Sequence, residues 1–343
     1  MKGFSIIVCS YNGSLRISKV IKFLTQLKVS NFHFEIIIVD NNSNDDTFNV
    51  AFQAALLVDK IKIHVIKEEK PGKANALIAG FKQASFDYLV ICDDDNHLNE
   101  NYLVVAETIF LENPQIGIIG GKGILPDDYQ LPQWFHIHEN AWAIGNQHSF
   151  SGEIIGEFPS VWGAGMLIRK SVWNQLIDNG FSSFLTGKKT SKVKMAGEDT
   201  ELCILVNSIG YGIYYDERLT YTHALPSSRI TWNHLLNMKI GFTRSQVYFE
   251  YYVMYLDGQL KTRDVFKRHV TKNLFQSFYL FFSGYNTINY YKTIFIAFVE
   301  NREGYQLGID KRNQITRILE LCKIVIRLKS IYAVFRNFKY DCY

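Results

Sequence analysis

Hydrophobic positions in the first third of the chain fall into short runs separated by segments of helical period. Runs at Ser5–Cys9, Glu35–Val39, Ile61–Ile66, Tyr88–Cys92 and Ile116–Gly120 predict strands. Two of them, Ile36-Ile37-Ile38-Val39 and Tyr88-Leu89-Val90-Ile91, are continuous rather than alternating, the pattern of strands covered on both faces. Between the runs, Leu15–Leu27, Asp46–Leu57, Lys73–Ala84 and Tyr102–Glu112 carry apolar residues at helical spacing, with cap candidates from Ser43 to Asp46 and a stop at Pro114. Such alternation builds βαβ units, so the expected fold is α/β, a Rossmann-like and mainly parallel sheet flanked by helices. From about 121 to 165 the period weakens. Pro126, Pro132, Gly145, Gly152, Gly156 and Pro159 punctuate an aromatic-rich stretch expected to form loops over a site. Order resumes with a strand at Ala164–Arg169, helices at Ser171–Asn179 and Glu198–Ser208, and two short strands at Ile213–Tyr215 and Leu219–Thr222. Beyond Ile230 the pattern is mostly helical.

Composition narrows the classes. The chain of 343 residues is 47% hydrophobic and 20% charged, too apolar for a disordered chain and too charged for a polytopic membrane protein. A net charge of +4 gives no reason to expect a nucleic-acid partner. Charge is uneven, however, with 15 Lys or Arg against 6 Asp or Glu in residues 261–343. The five cysteines are widely spaced, without a CxxC pair, which favours a reducing compartment over disulfides or a zinc cluster. The opening run Phe4 to Cys9 is shorter than a secretory core, so no signal peptide is expected and the location reads as cytoplasmic.

In open α/β sheets ligands bind beyond the carboxyl ends of the strands. Here those ends read Ser10-Tyr11-Asn12, Asp40-Asn41-Asn42-Ser43 and Asp93-Asp94-Asp95-Asn96. Turn and cap chemistry alone accounts for the asparagines as well as a ligand role does. It does not account for the aspartate triplet, because adjacent carboxylates repel and raise one another's pKa unless a cation compensates. Mg²⁺ or Mn²⁺ takes such oxygen ligands together with substrate phosphates. On an extended chain Asp93 and Asp95 point to one side and Asp94 to the other, which makes Asp95 the expected direct metal ligand and Asp93 a ribose or outer-shell contact.

Phe4 to Asn12, Glu35 to Ser43, Pro71-Gly72-Lys73-Ala74-Asn75-Ala76-Leu77 and the Asp triplet, in that order, resemble the family 2 glycosyltransferases of the GT-A fold, in particular those that build bacterial cell-envelope or capsule polysaccharide. Trp162-Gly163-Ala164-Gly165-Met166 and Gly197-Glu198-Asp199-Thr200-Glu201-Leu202 look like that family's acceptor-side loop and acidic helix start. The resemblance covers about residues 3–235. It implies a GT-A domain over 1–235, with a nucleotide-sugar half to about 120 and an acceptor half from 121, followed by a basic, aromatic helical extension over 236–343. Ser10, Tyr11, Asn12, Asp40, Lys73, Asp93, Asp94 and Arg229 would meet the nucleotide sugar, with Tyr11 and Asp40 at the base and Arg229 at the diphosphate. Asp93 and Asp95 match the family's DxD and, with His223, would hold Mn²⁺ or Mg²⁺. Asp199 would be the general base, with Trp162, Gly163 and Glu198 on the acceptor side. One base and no protein nucleophile imply inversion at the anomeric carbon. The implied partners are a nucleotide-diphosphate sugar, with UDP favoured, and a glycan or lipid-linked acceptor.

Each residue also has a plainer reading. Glu198 and Asp199 suit a helix start, His223 suits a structural imidazole, and His136 and His138 sit among Trp134, Phe135 and Trp142 as packing or stacking groups. Gly72-Lys73 is too short for a phosphate loop. A sugar nucleotidyltransferase remains an alternative, though its Gly-rich, Arg-containing first loop is missing; a non-catalytic nucleotide-sugar-binding protein at the membrane is another. The 19 uncharged residues between Lys272 and Lys292 hold too many amides and hydroxyls for a bilayer span. Their rings, with Arg263, Lys267, Arg268 and Lys272, and the basic-apolar stretch Ile315–Phe338, suit peripheral contact with an anionic inner membrane face or a helical subdomain with a solvated basic side.

Overall fold

A computed structural model describes residues 1–156, 159–179, 181, 196–239, 241, 242, 245 and 249. The chain divides into two compact units, Met1–Lys188 with Gly197–Leu235 and Lys189–Ala196 with Leu236–Tyr343. The expected helical extension, with the stretches Lys272–Lys292 and Ile315–Phe338, lies almost wholly outside the described residues.

The first unit is a mixed α/β layer structure. Strands β1 (Gly3–Ser10), β2 (His33–Asp40), β3 (Lys62–Lys67) and β4 (Tyr88–Asp93) run parallel in the spatial order β3-β2-β1-β4. Their continuous apolar runs divide by parity. Ile6, Val8, Ile36, Ile38, Val90 and Cys92 face one core, while Ile7, Ile37, Val39, Leu89 and Ile91 face the other. Helices α1 (Ile17–Leu24), α2 (Thr47–Leu56) and α4 (Tyr102–Glu112) cover the first face. The second is covered by α3 (Lys73–Gln83), α6 (Lys170–Asp178) and α7 (Glu198–Ser208). In α1 the buried residues Ile17, Val20, Ile21 and Leu24 form one i, i+3, i+4, i+7 stripe, and that stripe rather than propensity holds the helix down.

Beyond β4 the sheet is mixed. β8 (Leu167–Arg169) runs antiparallel to both β4 and its other neighbour, β6 (Ile116–Ile124). β6 pairs in parallel with β9 (Gly212–His223), and the short β5 (Asn96–Leu98) and β7 (Gly152–Glu153) add antiparallel to β9. The expected mainly parallel sheet is present, since the long ladders are all parallel; only the short ladders of β5, β7 and β8 run antiparallel, a direction that burial does not set. Ala164–Arg169 also shortens to three strand residues. The two short strands expected at 213–215 and 219–222 are one: the ladder with β6 shifts register between Gly120 and Lys122, and that irregularity carries the strand through the exposed pair Glu217 and Arg218.

Arg169, at the end of β8, joins the two halves. Its guanidinium donates to the carbonyls of Phe110 and Asn113 at the end of α4 (2.9 and 3.0 Å) and lies 4.8 Å over the Phe110 ring. His97 on β5 stacks on Phe23 with centroids 4.1 Å apart. Burial, and after it the charge of Lys19, pushes this imidazole down to about 4. A histidine whose folded pKa is depressed stabilises the fold fully above its unfolded value, near 6.5, and loses that contribution as pH falls toward the folded one. Wild-type stability should therefore drop between pH 7 and pH 5 by about 1 kcal/mol more than that of His97→Leu, after allowance for solvent screening. Urea denaturation of both proteins at the two pH values measures the difference; equal losses would remove His97 as the cause.

Candidate functional site

The ends of β2, β1 and β4, adjacent in the sheet in that order, meet at one edge, and the aspartates after β4 gather the charged groups there. The chain turns after Asp93, so Asp94 and Asp95 occupy a turn into β5 rather than an extended strand. Alternation of side chains along a strand consequently does not apply to them. Each carboxylate instead meets its own cation. Asp93 pairs with Lys73. Asp94 accepts from Arg16 through Nη2 (2.8 Å) and Nε (3.2 Å), and from the Ser10 hydroxyl (2.5 Å). Asp95 pairs through Oδ2 with Arg229 (3.0 Å) and through Oδ1 with His223 Nε2 (3.5 Å).

The titration directions agree with this geometry. Burial pushes Asp94 above the usual carboxylate value despite Arg16 and Ser10, because desolvation of the enclosed carboxyl outweighs them. Burial acts on Asp95 in the same sense, but His223, then Arg229 and Lys73, outweigh it and draw the carboxyl below its ordinary value. Burial works against charge on Lys73 as well, yet Asp93 beside it raises the ammonium pKa, with smaller help from Cys9 and Glu198. Repulsion among the three aspartates is thus relieved by the protein's own cations, and does not by itself demand a metal.

The loops beyond β1 and β2 form one side. Tyr11 is exposed, its phenol accepting weakly from Asn44 Nδ2 at 3.4 Å. Asn12 takes a left-handed conformation (φ 50°), so that its Oδ1 receives the Asn44 amide N–H at 2.9 Å and its own N–H reaches Ser43 Oγ at 3.0 Å. Asp40 is buried and accepts the Ser43 N–H at 3.3 Å. Its neighbour Asn41 ties down the segment leading to Lys73: Nδ2 donates to the Glu68 and Lys70 carbonyls, and Oδ1 accepts from Gly72 N at 2.7 Å. Gly72 has φ 124°, a conformation reserved for glycine, and it places Lys73 at the first position of α3.

The opposite side is built on the start of α7. Asp199 receives the backbone N–H groups of Gly163 (2.9 Å) and Thr200 (2.8 Å), one on each oxygen, at the positive end of the helix. The adjoining Trp162 donates its N–H to Gln147 Oε1 at 2.6 Å, and Gln147 in turn donates to the Gly121 carbonyl at 2.5 Å. Glu198 is exposed, yet desolvation by the protein around its carboxyl, followed by Asp199, raises its pKa. Lys73 counters this, so the starts of α3 and α7 lie within each other's electrostatic reach.

The third side is β9 and the short 3-10 helix beyond it. The His223 Nδ1 faces the Trp142 carbonyl at 2.9 Å; a carbonyl only accepts, so Nδ1 carries the proton and Nε2 is left to Asp95. The Trp142 indole donates to the Arg229 carbonyl at 3.1 Å. Trp142 also packs with Trp134, Phe135 and His234, and Trp134 meets Trp232 edge-on at 5.4 Å. His136 and His138, on the short helix α5 (Phe135–His138), belong to this aromatic group, with His138 6.0 Å from Trp232. Among the described residues no three carboxylate, thiol or imidazole side chains converge as a metal cage. The expected trio of Asp93, Asp95 and His223 does not assemble, since Asp93 is engaged by Lys73. Asp95 and His223 present an oxygen and a nitrogen side by side, a pair that fits a divalent ion completing its shell with phosphate oxygens and water.

Three residues at this site escape sequence reasoning, Gly13, Arg16 and Gln147, while Asn41 and Trp142 are visible in the strand-end and aromatic stretches without the contacts they make here. Asn12-Gly13 is a turn signal, but nothing in the order of residues joins Arg16 to an aspartate 78 positions away. Gly13 packs so closely that a methyl group there would overlap Ser10 Oγ and Asp94 Oδ2.

Residues 5–176 match the sequence model of Glycosyl transferase family 2. Among curated proteins the chain is 27% identical over 221 residues to the poly-beta-1,6-N-acetyl-D-glucosamine synthase of Staphylococcus aureus strain COL, covering 63% of this chain and 48% of that one. It is 30% identical over 126 residues to the synthase of the same name from Staphylococcus epidermidis, covering 36% and 29%. The chain thus spans about half the length of the curated relatives it matches. Two solved structures share the fold. The mannosyltransferase PcManGT from Pyrobaculum calidifontis, in complex with GDP-Man and Mn²⁺, superposes with TM-score 0.52 at 13% identity over 94% of this chain and 80% of that one. Staphylococcus aureus TarS 1-349 in complex with UDP-GlcNAc does so with TM-score 0.50 at 17% identity over 74% and 67%.

Gly13→Ala should cost about 2–4 kcal/mol of stability, because the methyl group separates Ser10 from Asp94 and leaves buried polar atoms unpaired. Gly156→Ala, with open space around it, should stay within about 0.5 kcal/mol of wild type. Denaturant titration reads both, and equal effects would show that the Ser10–Asp94–Arg16 knot carries no strain-sensitive packing.

Proposed function

The chain belongs to glycosyl transferase family 2, and from that premise we propose that it transfers a sugar from a nucleotide-diphosphate sugar to a hydroxyl of a glycan or lipid-linked acceptor in cell-envelope polysaccharide synthesis. The observation that carries this reading is the placement of Asp199, whose two carboxylate oxygens each accept a backbone N–H, across from a strand-end aspartate cluster whose charges are individually matched. A UDP sugar is favoured, in keeping with the N-acetylglucosamine polymer that names the curated relatives and the UDP-GlcNAc bound to TarS.

In this reading residues 1–235 are the catalytic domain. Tyr11 and Asp40 receive the nucleotide base, with Asn12 shaping the loop between them. Lys73 and Asp93 lie toward the ribose and phosphates, and Ser10 and Asp94 form the floor beneath. Asp95 and His223 hold Mn²⁺ or Mg²⁺, which when bound supplies Lewis-acid neutralisation of the departing diphosphate. Arg229 adds a guanidinium to the same oxygens. Trp162, Gly163 and Glu198 face the acceptor. Its hydroxyl gives up a proton to a free lone pair of Asp199 as the oxygen attacks the anomeric carbon and the bond to the nucleoside diphosphate breaks. One displacement with one base inverts that carbon. Lys73, between Asp93 and Glu198, keeps the donor half positive where diphosphate charge develops. The basic, aromatic residues 236–343 suit contact with an anionic membrane surface where a lipid-linked acceptor would be presented. Among the described residues no helix is long and apolar enough to cross a membrane.

Asp199→Asn should retain UDP binding and lose about 10²–10⁴-fold in transfer rate, the usual worth of a positioned base. Calorimetry with UDP and Mn²⁺, together with release of UDP from UDP-GlcNAc in the presence of a β-linked N-acetylglucosamine oligomer, measures the two quantities. Retained transfer in the Asn variant would remove Asp199 from the role of base.

A further inference from the structure

Asp95 is the most buried carboxylate of the triplet, and one of its partners is a cation on a half-exposed arm. Its Oδ1 faces His223, whose ring is pinned from behind by the Trp142 carbonyl. Its Oδ2 is taken by Arg229, and the two ends of that residue differ. The Arg229 main chain is fixed: its N–H donates to the Pro226 carbonyl at 2.8 Å, and its carbonyl accepts the Trp142 indole N–H at 3.1 Å. The side chain is 47% exposed, whereas that of Asp95 is 6% exposed. A guanidinium on a long, solvent-facing arm therefore sits on a buried carboxylate from an anchored root. Arg16 is locked by two bonds to Asp94, and Lys73 is engaged by Asp93, so neither is free to replace Arg229.

Any divalent ion that takes Asp95 must displace this resident charge or tolerate it a few ångströms away, and like charges at such distances in a half-buried site repel strongly. A guanidinium leaves a carboxylate readily only for another anion, and a diphosphate offers a geometry it binds equally well. We propose that Arg229 is a resident counter-cation of Asp95, traded for a divalent ion only when a nucleoside diphosphate arrives to receive the guanidinium. The exchange rests on the assignment of Asp95 to metal made under the proposed function. It gives Arg229 opposite effects on two ligands: it hinders the ion alone and favours the ion together with the nucleotide. The trade needs no main-chain movement, because Trp142 and Pro226 hold the root of the side chain while the arm swings.

The test compares full-length wild type, Arg229→Gln, Arg229→Lys and Asp95→Asn. Free Mn²⁺ is measured by electron paramagnetic resonance without nucleotide, and UDP binding is measured by calorimetry at saturating Mn²⁺. Arg229→Gln should bind Mn²⁺ alone about tenfold more tightly than wild type and UDP with Mn²⁺ about tenfold less tightly, the scale of removing one nearby unit charge. Arg229→Lys, which keeps the charge, should lie near wild type for Mn²⁺ alone. If Arg229→Gln binds Mn²⁺ no better than wild type while Asp95→Asn loses it, the exchange is wrong and the metal assignment stands. If Asp95→Asn binds Mn²⁺ and UDP as wild type does, or wild type binds neither, the metal assignment fails and takes the exchange with it. Thermal melts of the four proteins establish that each is folded.

Discussion

Three consecutive aspartates cannot be held at the end of a buried strand unless three positive groups are brought to them, and much of the first unit supplies those groups. Lys73 comes from the first turn of α3, Arg16 from the residue before α1, and Arg229 from the short 3-10 helix after β9. Taking one partner from a buried pair leaves an uncompensated charge, a cost of several kcal/mol that the fold as a whole must carry. The strand order reflects the same need. β9 has to reach the triplet for His223 and Arg229 to arrive, and it does so by pairing Asn96 on β5 with His223.

The three pairs are not equivalent, and their differences divide the work. The Asp94 pair is enclosed, shares Ser10, and packs against Gly13 without room for a methyl group, which makes it part of the frame. The Asp93 pair bridges strand and helix, with the side chain of Lys73 about half exposed. The Asp95 pair is buried on the acidic side and open on the basic side. A charge arrangement of this kind gives each aspartate of the triplet a cation of its own, and in the exchange proposed above Asp95 is the one that changes partner.

Trp142 connects that exchangeable carboxylate to the aromatic loop. Its carbonyl orients His223 and its indole anchors Arg229, while its ring packs with Trp134, Phe135 and His234. Outer groups that orient direct ligands commonly matter nearly as much as the ligands. On the other flank Gln147 performs a related task, bridging Gly121 to the Trp162 loop that in turn contacts Asp199.

Much of the fold is legible in the residue order because burial leaves a periodic trace. The helices Tyr102–Glu112 and Glu198–Ser208 stand at the bounds their apolar spacing predicts, and β1, β2 and β4 differ from expectation only by ladder residues at their ends. β5 and β7, three and two residues long, leave no such trace, and neither does strand direction, since Leu167 and Ile168 of the antiparallel β8 are as buried as the residues of β4. The polar strand ends and the Asp triplet stand out in the chain because their residue types are chemically unusual after buried strands, whereas Lys73 and Asp199, at helix starts, stand out only through the family resemblance of the segments around them. Residue order alone establishes most of the burial, the main helices and strands, and the polar groups that gather at the strand ends. It took the folded arrangement to establish that the chain turns at Asp94, that Arg16 belongs to Asp94 and Arg229 to Asp95, and that Trp142 stands behind both partners of Asp95. Periodicity records whether a side chain faces a core, whereas pairing across 78 or 134 residues depends on where whole elements are docked.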